Sequence, residues 1–475
     1  MQEVQRQIRI DRVQANDVRS ESLARNVLAR AVVEHYRCPE DFLDFELSDR
    51  LSTDEGYFNF SADVICYGRS CQGTRARRPE SSRHDTFSDV TVQNAKLRLP
   101  FHPTEIINNL RWERYVEENK SSQKLLKKIY YHVRPFMTAS IRARVKQFLA
   151  RKRRMTVFPK WPLDTTVENI CERLLSLSIE SKNVQRIPFI WFWPNGANGC
   201  VTITHDVETE TGRAFCADLM DLNESFGIKS SFQIIPEQRY EVMPAFLDSI
   251  RSRGFEVAVH DLNHDGRLYD ERGEFLRRAK KINQYAAQWG AKGFRAGALY
   301  RKPDWFESLD FSYEMSMPNI GHLDPQPGGC CTVMPFSIGD MLEIPVTMIQ
   351  DYMLFYVVQS RSIDLWKTQI EMILRKNGLA SFIVHPDYIV EKETRCVYEN
   401  LLSYLRDLRL QTDIWFALPR DIDSWWRSRS QLRLERCGDS WQIEGEGAER
   451  AVVAYAKNVN GRLVYEVERP AKPIC

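Results

Sequence analysis

The sequence lacks the features of a membrane or secreted protein. None of its 475 residues belongs to an apolar run near the ~18 residues that a membrane helix needs. The polar residues 1–7 lack the apolar core of a signal peptide. No Cys-x-x-Cys pair recurs among the eleven cysteines, and Cys330 and Cys331 are adjacent, which argues against a disulfide framework. These absences predict a cytoplasmic protein with reduced thiols.

The sequence also lacks a net charge of either sign, with 66 basic against 64 acidic residues. This balance argues against nucleic acid as a partner. One segment departs from it: residues 120–162 contain thirteen Lys or Arg and no Asp or Glu. A basic amphipathic helix there predicts peripheral contact with anionic lipid at the inner membrane face. A solvated basic surface packed on the rest of the protein is the alternative.

The length predicts several domains rather than one. Residues 1–118 read as an N-terminal mixed α/β region without an assigned function, and residues 119–197 as a basic helical linker. Residues 198–428 form an α/β catalytic domain. Residues 429–475 form a small β appendage, in which Asn458-Val-Asn-Gly461 is a hairpin signal.

Strand and helix patterns alternate through residues 198–428. The predicted strands are 200–207, 230–236, 256–262, 293–299, 343–347, 379–387 and 413–418. The predicted helices are 212–226, 241–252, 272–288, 363–376 and 391–409. Such alternation predicts parallel strands with right-handed crossovers and chemistry at the carboxyl ends of the strands. The Gly- and Pro-rich residues 321–337 are expected to border the substrate cleft.

Two of these strands end in groups that bind metals or transfer protons. Val201-Thr-Ile-Thr-His-Asp-Val-Glu208 delivers Asp206 and Glu208, which share one face because side chains alternate along a strand. Glu256-Val-Ala-Val-His-Asp-Leu-Asn-His264 ends at His260, with His264 expected one helical turn later. Together they suggest a metal-assisted hydrolase. His205 is expected to be a packed residue and not a ligand.

These motifs resemble the polysaccharide deacetylase family (NodB homology, carbohydrate esterase family 4). The family's first motif is Asp-x-Asp-like and its second is His-x-x-x-His. Gly293-Phe-Arg-Ala-Gly-Ala298 stands at its Arg-x-Pro motif, and Ile383-Val-His-Pro386 at its Leu-x-His motif. The resemblance spans roughly residues 198–428 and implies an irregular (β/α)7 barrel. This chain has Glu208 where the family usually has Asp, Ala-Gly-Ala in motif three, and no clear Asp-Trp fourth motif.

The resemblance also implies roles for individual residues. It makes Glu208, His260 and His264 the ligands of a divalent metal, with zinc expected first and cobalt, nickel or iron as alternatives. It makes Asp206 the general base, His385 the general acid and Arg295 the partner that keeps Asp206 ionised. The backbone N–H of Ala298, with Tyr300, is expected at the substrate and its oxyanion. Glu343 is a candidate carboxylate behind His385.

The sequence therefore predicts a metal-dependent hydrolase that removes an N-acetyl group from a sugar or glycan precursor. A cytoplasmic location and the basic segment favour a lipid-linked or nucleotide-linked precursor as the substrate. One alternative is a deformylase or another non-peptide amide hydrolase on the same scaffold. A second alternative is a metal-binding or glycan-binding module without turnover.

Overall fold

The computed structural model describes residues 27–74, 76–116 and 156–468. The basic segment 120–162 therefore lies outside the described residues except for its last seven, and its predicted membrane contact remains a prediction. None of the described helices is long and apolar enough to cross a lipid bilayer. All ten cysteines in these ranges are free thiols.

The N-terminal region is a small mixed α/β unit, followed by one helix and one strand that lead to the central sheet. The elements in chain order are α1 (Arg30–Tyr36), β1 (Phe45–Leu47), β2 (Gly56–Asn59), β3 (Ile65–Gly68), β4 (Thr91–Gln93), β5 (Lys96–Leu99), α2 (Pro103–Arg111), α3 (Thr166–Ser181) and β6 (Ile187–Ile190). β2 and β3 form an antiparallel hairpin. β5 lies between β1, its parallel partner, and β4, its antiparallel partner.

A nine-stranded sheet that curves into a half-barrel is the centre of the molecule. Its strands are β7 (Gly199–Val207), β8 (Ser231–Ile234), β9 (Glu256–His260), β10 (Gly293–Arg295), β11 (Tyr313–Glu314), β12 (Phe336–Ile338), β13 (Met341–Glu343), β14 (Leu379–Ile383) and β15 (Ile414–Phe416). Their spatial order is β12-β13-β11-β10-β9-β8-β7-β14, and β15 also pairs with β7. Eight strands are parallel, and β12 is an antiparallel edge strand.

Six of the seven predicted strands are present, most of them shorter than their sequence patterns, and the seventh, predicted at 343–347, lies at Met341–Glu343 and shares only Glu343 with the prediction. The two additional strands, β11 and β12, contain only two and three residues, too few to form a periodic pattern. The described sheet therefore does not confirm the count of seven that the resemblance implies. β7 is buried along its whole length, as expected for a central parallel strand covered on both faces.

Helices connect the parallel strands, as the alternation predicts. They are α4 (Glu210–Ser225), α5 (Pro244–Ser252), α6 (Arg272–Trp289), α7 (Asp364–Leu374) and α8 (Lys392–Gln411). Their apolar faces and the sheet enclose one hydrophobic core, with Phe232 and Trp366 among its buried residues. Because the strands are parallel, the carboxyl ends of β7, β9, β10 and β14 open at the same edge of the sheet.

The C-terminal strands pack against the N-terminal region and β6. α9 (Pro419–Gln431) leads to β16 (Arg433–Cys437), β17 (Ser440–Glu444), β18 (Val453–Val459) and β19 (Arg462–Val467). Asn460 and Gly461 both have positive φ, as the predicted Asn-Gly turn between β18 and β19 requires. β18 also pairs with β6, and the hydroxyls of Tyr36 and Tyr465 lie 2.7 Å apart. The N-terminal and C-terminal regions therefore share a second hydrophobic core.

Candidate metal centre and active site

The end of β7 places two carboxylates against one imidazole. Asp206 is buried within the strand, and Glu208 follows it with its side chain 21% exposed. Asp206 Oδ2 and Glu208 Oε1 each lie 3.7 Å from His260 Nε2. The alternation of side chains along the strand, read from the sequence, thus brings both acids to one point.

His260, at the end of β9, and His264, in the loop after it, complete this cluster. β9 is separated from β7 by β8. The ring centroids of the two histidines are 4.9 Å apart, and Glu208 Oε1 lies 2.8 Å from His264 Nε2. One ligand atom from each of Glu208, His260 and His264 lies within 4.8 Å of the other two. The expectation that His264 follows on a helical turn is wrong, because His264 has φ 54° in an irregular loop.

The His260 imidazole presents an unused lone pair to the cluster. His260 Nδ1 lies 3.0 Å from the carbonyl oxygen of Arg295. A carbonyl can only accept, so Nδ1 is the protonated nitrogen and Nε2 of the neutral ring carries the lone pair. His260 Nε2 is buried without a hydrogen-bond partner, a costly arrangement unless something else binds it, and His264 Nε2 faces only Glu208 Oε1, at 2.8 Å. Two imidazoles and a carboxylate are a donor set that fits a catalytic divalent metal.

Arg295 holds Asp206 beside the predicted ligands. Arg295 is completely buried, and its Nη1 donates to Asp206 Oδ1 at 2.5 Å and to Thr204 Oγ1 at 2.8 Å. Burial would raise the pKa of Asp206, but Arg295 and the nearby imidazoles hold that pKa below its ordinary value. Asp206 is therefore a carboxylate whose second oxygen, Oδ2, faces His260.

His385 approaches the cluster from the end of β14, with Asp351 behind it. Its Nδ1 lies 2.7 Å from Asp351 Oδ1, and its backbone N–H donates to Asp351 Oδ2 at 2.7 Å. Its Nε2 lies 3.6 Å from Glu208 Oε1. Burial would lower the pKa of His385, but Asp351 and Glu208 raise it well above its ordinary value.

The carboxylate behind His385 is Asp351, and the prediction of Glu343 is wrong. Glu343 lies beside Glu314 and accepts the backbone N–H of Met317 at 3.1 Å. Asp351 was missed because it is followed by Tyr352, and the sequence was searched for an Asp-Trp pair. An acidic residue followed by any aromatic residue, ahead of the strand that ends near His385, is the signal that could have found it.

The loop after β10 runs against His264. The backbone N–H of Gly297 lies 3.2 Å from Asp261 Oδ2. A Cβ at position 297 would lie 2.6 Å from that oxygen and 2.9 Å from His264 Cδ2, so only glycine fits. Ala298 follows with φ 55°, a left-handed backbone that costs a non-glycine residue about 1–2 kcal/mol. Tyr300 is 8% exposed and packs in the core of the half-barrel.

His205, Cys330 and Cys331 are structural residues. His205 is buried, with Nδ1 2.9 Å from the Val384 carbonyl oxygen and Nε2 2.9 Å from Asn223 Nδ2, so it is a packed residue as expected. Cys330 and Cys331 are fully buried, and burial raises the pKa of both thiols. Neither cysteine is therefore a candidate nucleophile.

Comparison with known proteins finds similarity in structure and not in sequence. No family model matches the sequence, and no curated protein matches it. A protein described as a polysaccharide deacetylase from Mycobacterium smegmatis matches with a TM-score of 0.42 and 16% identity, over 53% of this chain and 98% of that one. An allantoinase matches with a TM-score of 0.39 and 13% identity, over 50% of this chain and 92% of that one.

A family 4 acetyl xylan esterase from Clostridium thermocellum, solved with a cobalt ion, matches with a TM-score of 0.32 and 14% identity. That match covers 48% of this chain and 91% of the esterase. Because all three TM-scores lie below 0.5, the function proposed below depends on the side-chain geometry and not on this likeness. The solved structures similar to about half of this chain include polysaccharide deacetylases of carbohydrate esterase family 4, the family that its motifs resemble.

Proposed function

We propose that this chain is a metal-dependent hydrolase that removes an N-acetyl group from a sugar or glycan precursor. The observation that carries the proposal is the convergence of one ligand atom from each of Glu208, His260 and His264 within 4.8 Å of one another, with His260 Nε2 buried and without a hydrogen-bond partner. A buried cluster of this kind is stable when a cation satisfies its lone pairs. Within the described residues, these three side chains are the only group of this kind with ligand atoms so close together.

Glu208, His260 and His264 would hold the metal. Zinc is the first choice for one carboxylate and two imidazoles, and cobalt, nickel and iron accept the same donors. When bound, such an ion polarises a carbonyl oxygen and makes a bound water more acidic. The Nδ1–H of His260, which points to the Arg295 carbonyl, fixes the orientation of its ring toward this position.

Asp206 and His385 would move the two protons that amide hydrolysis requires. Asp206 Oδ2 would take the proton of the attacking water, while Arg295 occupies Oδ1 and keeps the carboxylate in place. His385 Nε2 would protonate the departing nitrogen, since Asp351 holds Nδ1 and turns Nε2 toward Glu208. Asp206 comes from β7 and His385 from the end of β14, so the two groups would act on the substrate from different strands.

The loop after β10 would bind the oxyanion. The backbone N–H of Ala298 is the proposed donor, because Gly297 brings this loop into contact with His264. Tyr300 packs in the core, so any effect of Tyr300 on substrate binding would come through the position of its loop.

An assay that measures each hydrolysis product separately tests this proposal. Zinc-loaded protein is offered N-acetylated and N-formylated sugars and a cyclic amide, and acetate, formate and ring opening are measured separately. We expect acetate release that Asp206→Ala abolishes while the metal content of the variant stays stoichiometric. Release of formate alone would indicate a deformylase. No product from any substrate, with metal bound, would indicate a binding module and would contradict the proposal.

A further inference from the structure

The strand between the two ligand-bearing strands supplies no predicted ligand, but its loop contacts both of its neighbours. β8 lies between β7, which leads to Glu208, and β9, which leads to His264. The loop after β8 is residues 235–240, called the β8 loop below. Two consecutive residues of the β8 loop, Arg239 and Tyr240, bond the backbone next to a predicted ligand on each side. One short loop therefore connects the two ends of the predicted metal site.

Tyr240 connects the β8 loop to the end of β7. Its hydroxyl donates to the Val207 carbonyl at 2.7 Å and accepts the backbone N–H of Ile235 at 3.0 Å. The Val207 carbonyl belongs to the peptide group that joins Val207 to Glu208. Because a phenol hydroxyl both donates and accepts, this one atom fixes the β8 loop against the peptide group from which Glu208 extends.

Arg239 connects the same loop to the residues after β9. Its Nε donates to the Asn263 carbonyl at 3.1 Å, and its Nη2 donates to the His264 carbonyl at 2.6 Å. His264 has φ 54°, a left-handed backbone that a non-glycine residue keeps only when its surroundings hold it. A guanidinium presents its donors in a rigid fork, so two bonds fix the orientation of the His264 peptide as well as its distance.

The loop after β9 has a second anchor, which holds its chain without Arg239. Arg278, on α6, bonds the two oxygens of Asp265, each at 2.8 Å. Its Nη1 also donates to Asn263 Oδ1 at 3.4 Å. The Arg239 side chain is exposed, so its loss opens no cavity in the core. Removing that side chain should therefore move His264 and leave the rest of the loop in place.

We infer that the β8 loop is a clamp that sets the distance between the Glu208 carboxylate and the His264 imidazole, with Arg239 and Tyr240 as positioning residues of the metal site. This inference rests on the proposed function, because the clamp acts on that reaction only through a bound metal. Bonds between zinc and such ligands are about 2 Å long, so a small shift of one ligand matters. Both residues act through the backbone of the ligands and are therefore not catalytic residues.

Zinc binding by the full-length chain tests the clamp by the sign of the change. Arg239→Ala removes a positive charge beside His264, so charge alone would make zinc bind more tightly. The loss of the two carbonyl bonds should outweigh this effect and weaken zinc binding at least about tenfold. Tyr240→Phe, which loses only the hydroxyl, should also weaken it. Arg239→Lys, which keeps the charge but can reach only one carbonyl, should fall between wild type and Arg239→Ala. Competition with a chromophoric chelator measures the affinities.

Two variants that lose the same kind of bond elsewhere are the matched controls. Arg251→Ala removes an exposed guanidinium that donates to the Trp289 carbonyl. Tyr57→Phe removes a phenol hydroxyl that donates to the Tyr115 carbonyl at 3.1 Å. Both should bind zinc as the wild type does. Cobalt(II) loaded in place of zinc reports the coordination geometry, so its visible absorption spectrum should change in Arg239→Ala and not in Arg251→Ala.

Equal or tighter zinc binding by Arg239→Ala, or an unchanged cobalt spectrum, would overturn the inference. Weaker zinc binding that accompanies an equal loss of stability in the metal-free variant, measured by urea denaturation, would assign Arg239 to folding and would also overturn it. A wild type that binds no zinc would overturn both the clamp and the proposed function. Weaker binding by the variant without acetate release from the wild type would contradict the hydrolase and keep the clamp, and acetate release with equal zinc binding would do the reverse.

Discussion

Two buried arginines, six positions apart in the chain, each pair with a carboxylate and yet have different consequences. Arg295 bonds one oxygen of Asp206, and the other oxygen faces His260 at 3.7 Å. Arg301 bonds both oxygens of Glu113 and also donates to the Leu299 carbonyl at 2.9 Å. The Arg295–Asp206 pair leaves one carboxylate oxygen without an arginine contact, whereas both oxygens of Glu113 are bonded to Arg301.

The Arg301–Glu113 pair joins the N-terminal region to the loop that carries Ala298. The two residues lie 188 positions apart in the chain, and both are buried. Breaking such a pair leaves an uncompensated charge in the interior. The difference between the pairs teaches that burial and charge alone do not identify a functional site. A buried imidazole nitrogen without a hydrogen-bond partner beside a carboxylate, as at His260 Nε2 and Glu208, is a stronger indication of a ligand site.

The largest effect is expected on metal content, when the predicted ligands of the central sheet are removed. The double variant His260→Ala/His264→Ala removes two of three predicted ligands, so we expect no bound metal and a loss of activity of at least about 10³-fold, equivalent to roughly 4 kcal/mol. Metal analysis and acetate release measure both. His84→Ala, at a half-exposed histidine paired with Asp89 in the N-terminal region, is the control that keeps its metal. Stoichiometric metal in the double variant would rule out the site.

The second-largest effect is expected on stability, when the buried Arg301–Glu113 pair is broken. Glu113→Ala leaves Arg301 buried without its partner, so we expect the free energy of unfolding to fall by about 3–5 kcal/mol. Glu34→Ala, which removes the exposed pair with Arg30, should cost less than about 1 kcal/mol. Urea denaturation measures both. The double variant Glu113→Leu/Arg301→Met should recover most of the loss, and failure to do so would show that the charge is needed for more than pairing.

A smaller effect, on metal affinity, is expected when the loop after β10 is changed where it contacts His264. Gly297→Ala places a methyl group against Asp261 and His264, so His264 must shift. We expect metal affinity to fall about 10–100-fold, the usual effect of disturbing groups that orient a ligand. Competition with a chromophoric chelator measures it. Gly273→Ala, where the nearest atom is 3.5 Å away, is the control, and an equal loss there would refute the steric explanation.

The smallest effect concerns a buried carboxyl without an arginine in contact. Burial raises the pKa of Glu168 to about 7, although Thr332 and the backbone N–H of Val333 donate to it. The folded state therefore keeps a proton that the unfolded state releases above its ordinary pKa of 4.5. The resulting stability is complete below that pH and is lost as the pH rises through 7. Glu168→Gln should reduce this pH dependence by on the order of 2 kcal/mol.

Urea midpoints at pH 5 and pH 8 check this last prediction. Wild type should lose more stability than Glu168→Gln between the two values. Parallel curves for the two proteins would mean that Glu168 is ionised in the folded state at both pH values.

The sequence was sufficient for the elements that carry the site and for part of the site itself. Asp206 and Glu208 could be paired because a strand repeats every two residues, and the strands ending near His260 and His385 were found from local apolar patterns. Asp351 could not be placed, since its contact with His385 spans 34 positions and depends on how two connections fold back. β11 and β12 are too short for any pattern to show.

Local patterns by themselves determined the alternation of strands and helices, the Asn-Gly turn at residues 460–461 and the shared face of the two acids, because each depends on backbone geometry within a few residues. Only the tertiary structure decided that β18 joins β6, that Glu113 closes on Arg301 and that Arg239 bonds the His264 carbonyl. Those contacts join distant segments, and their positions follow from packing in the two cores, which no local period encodes.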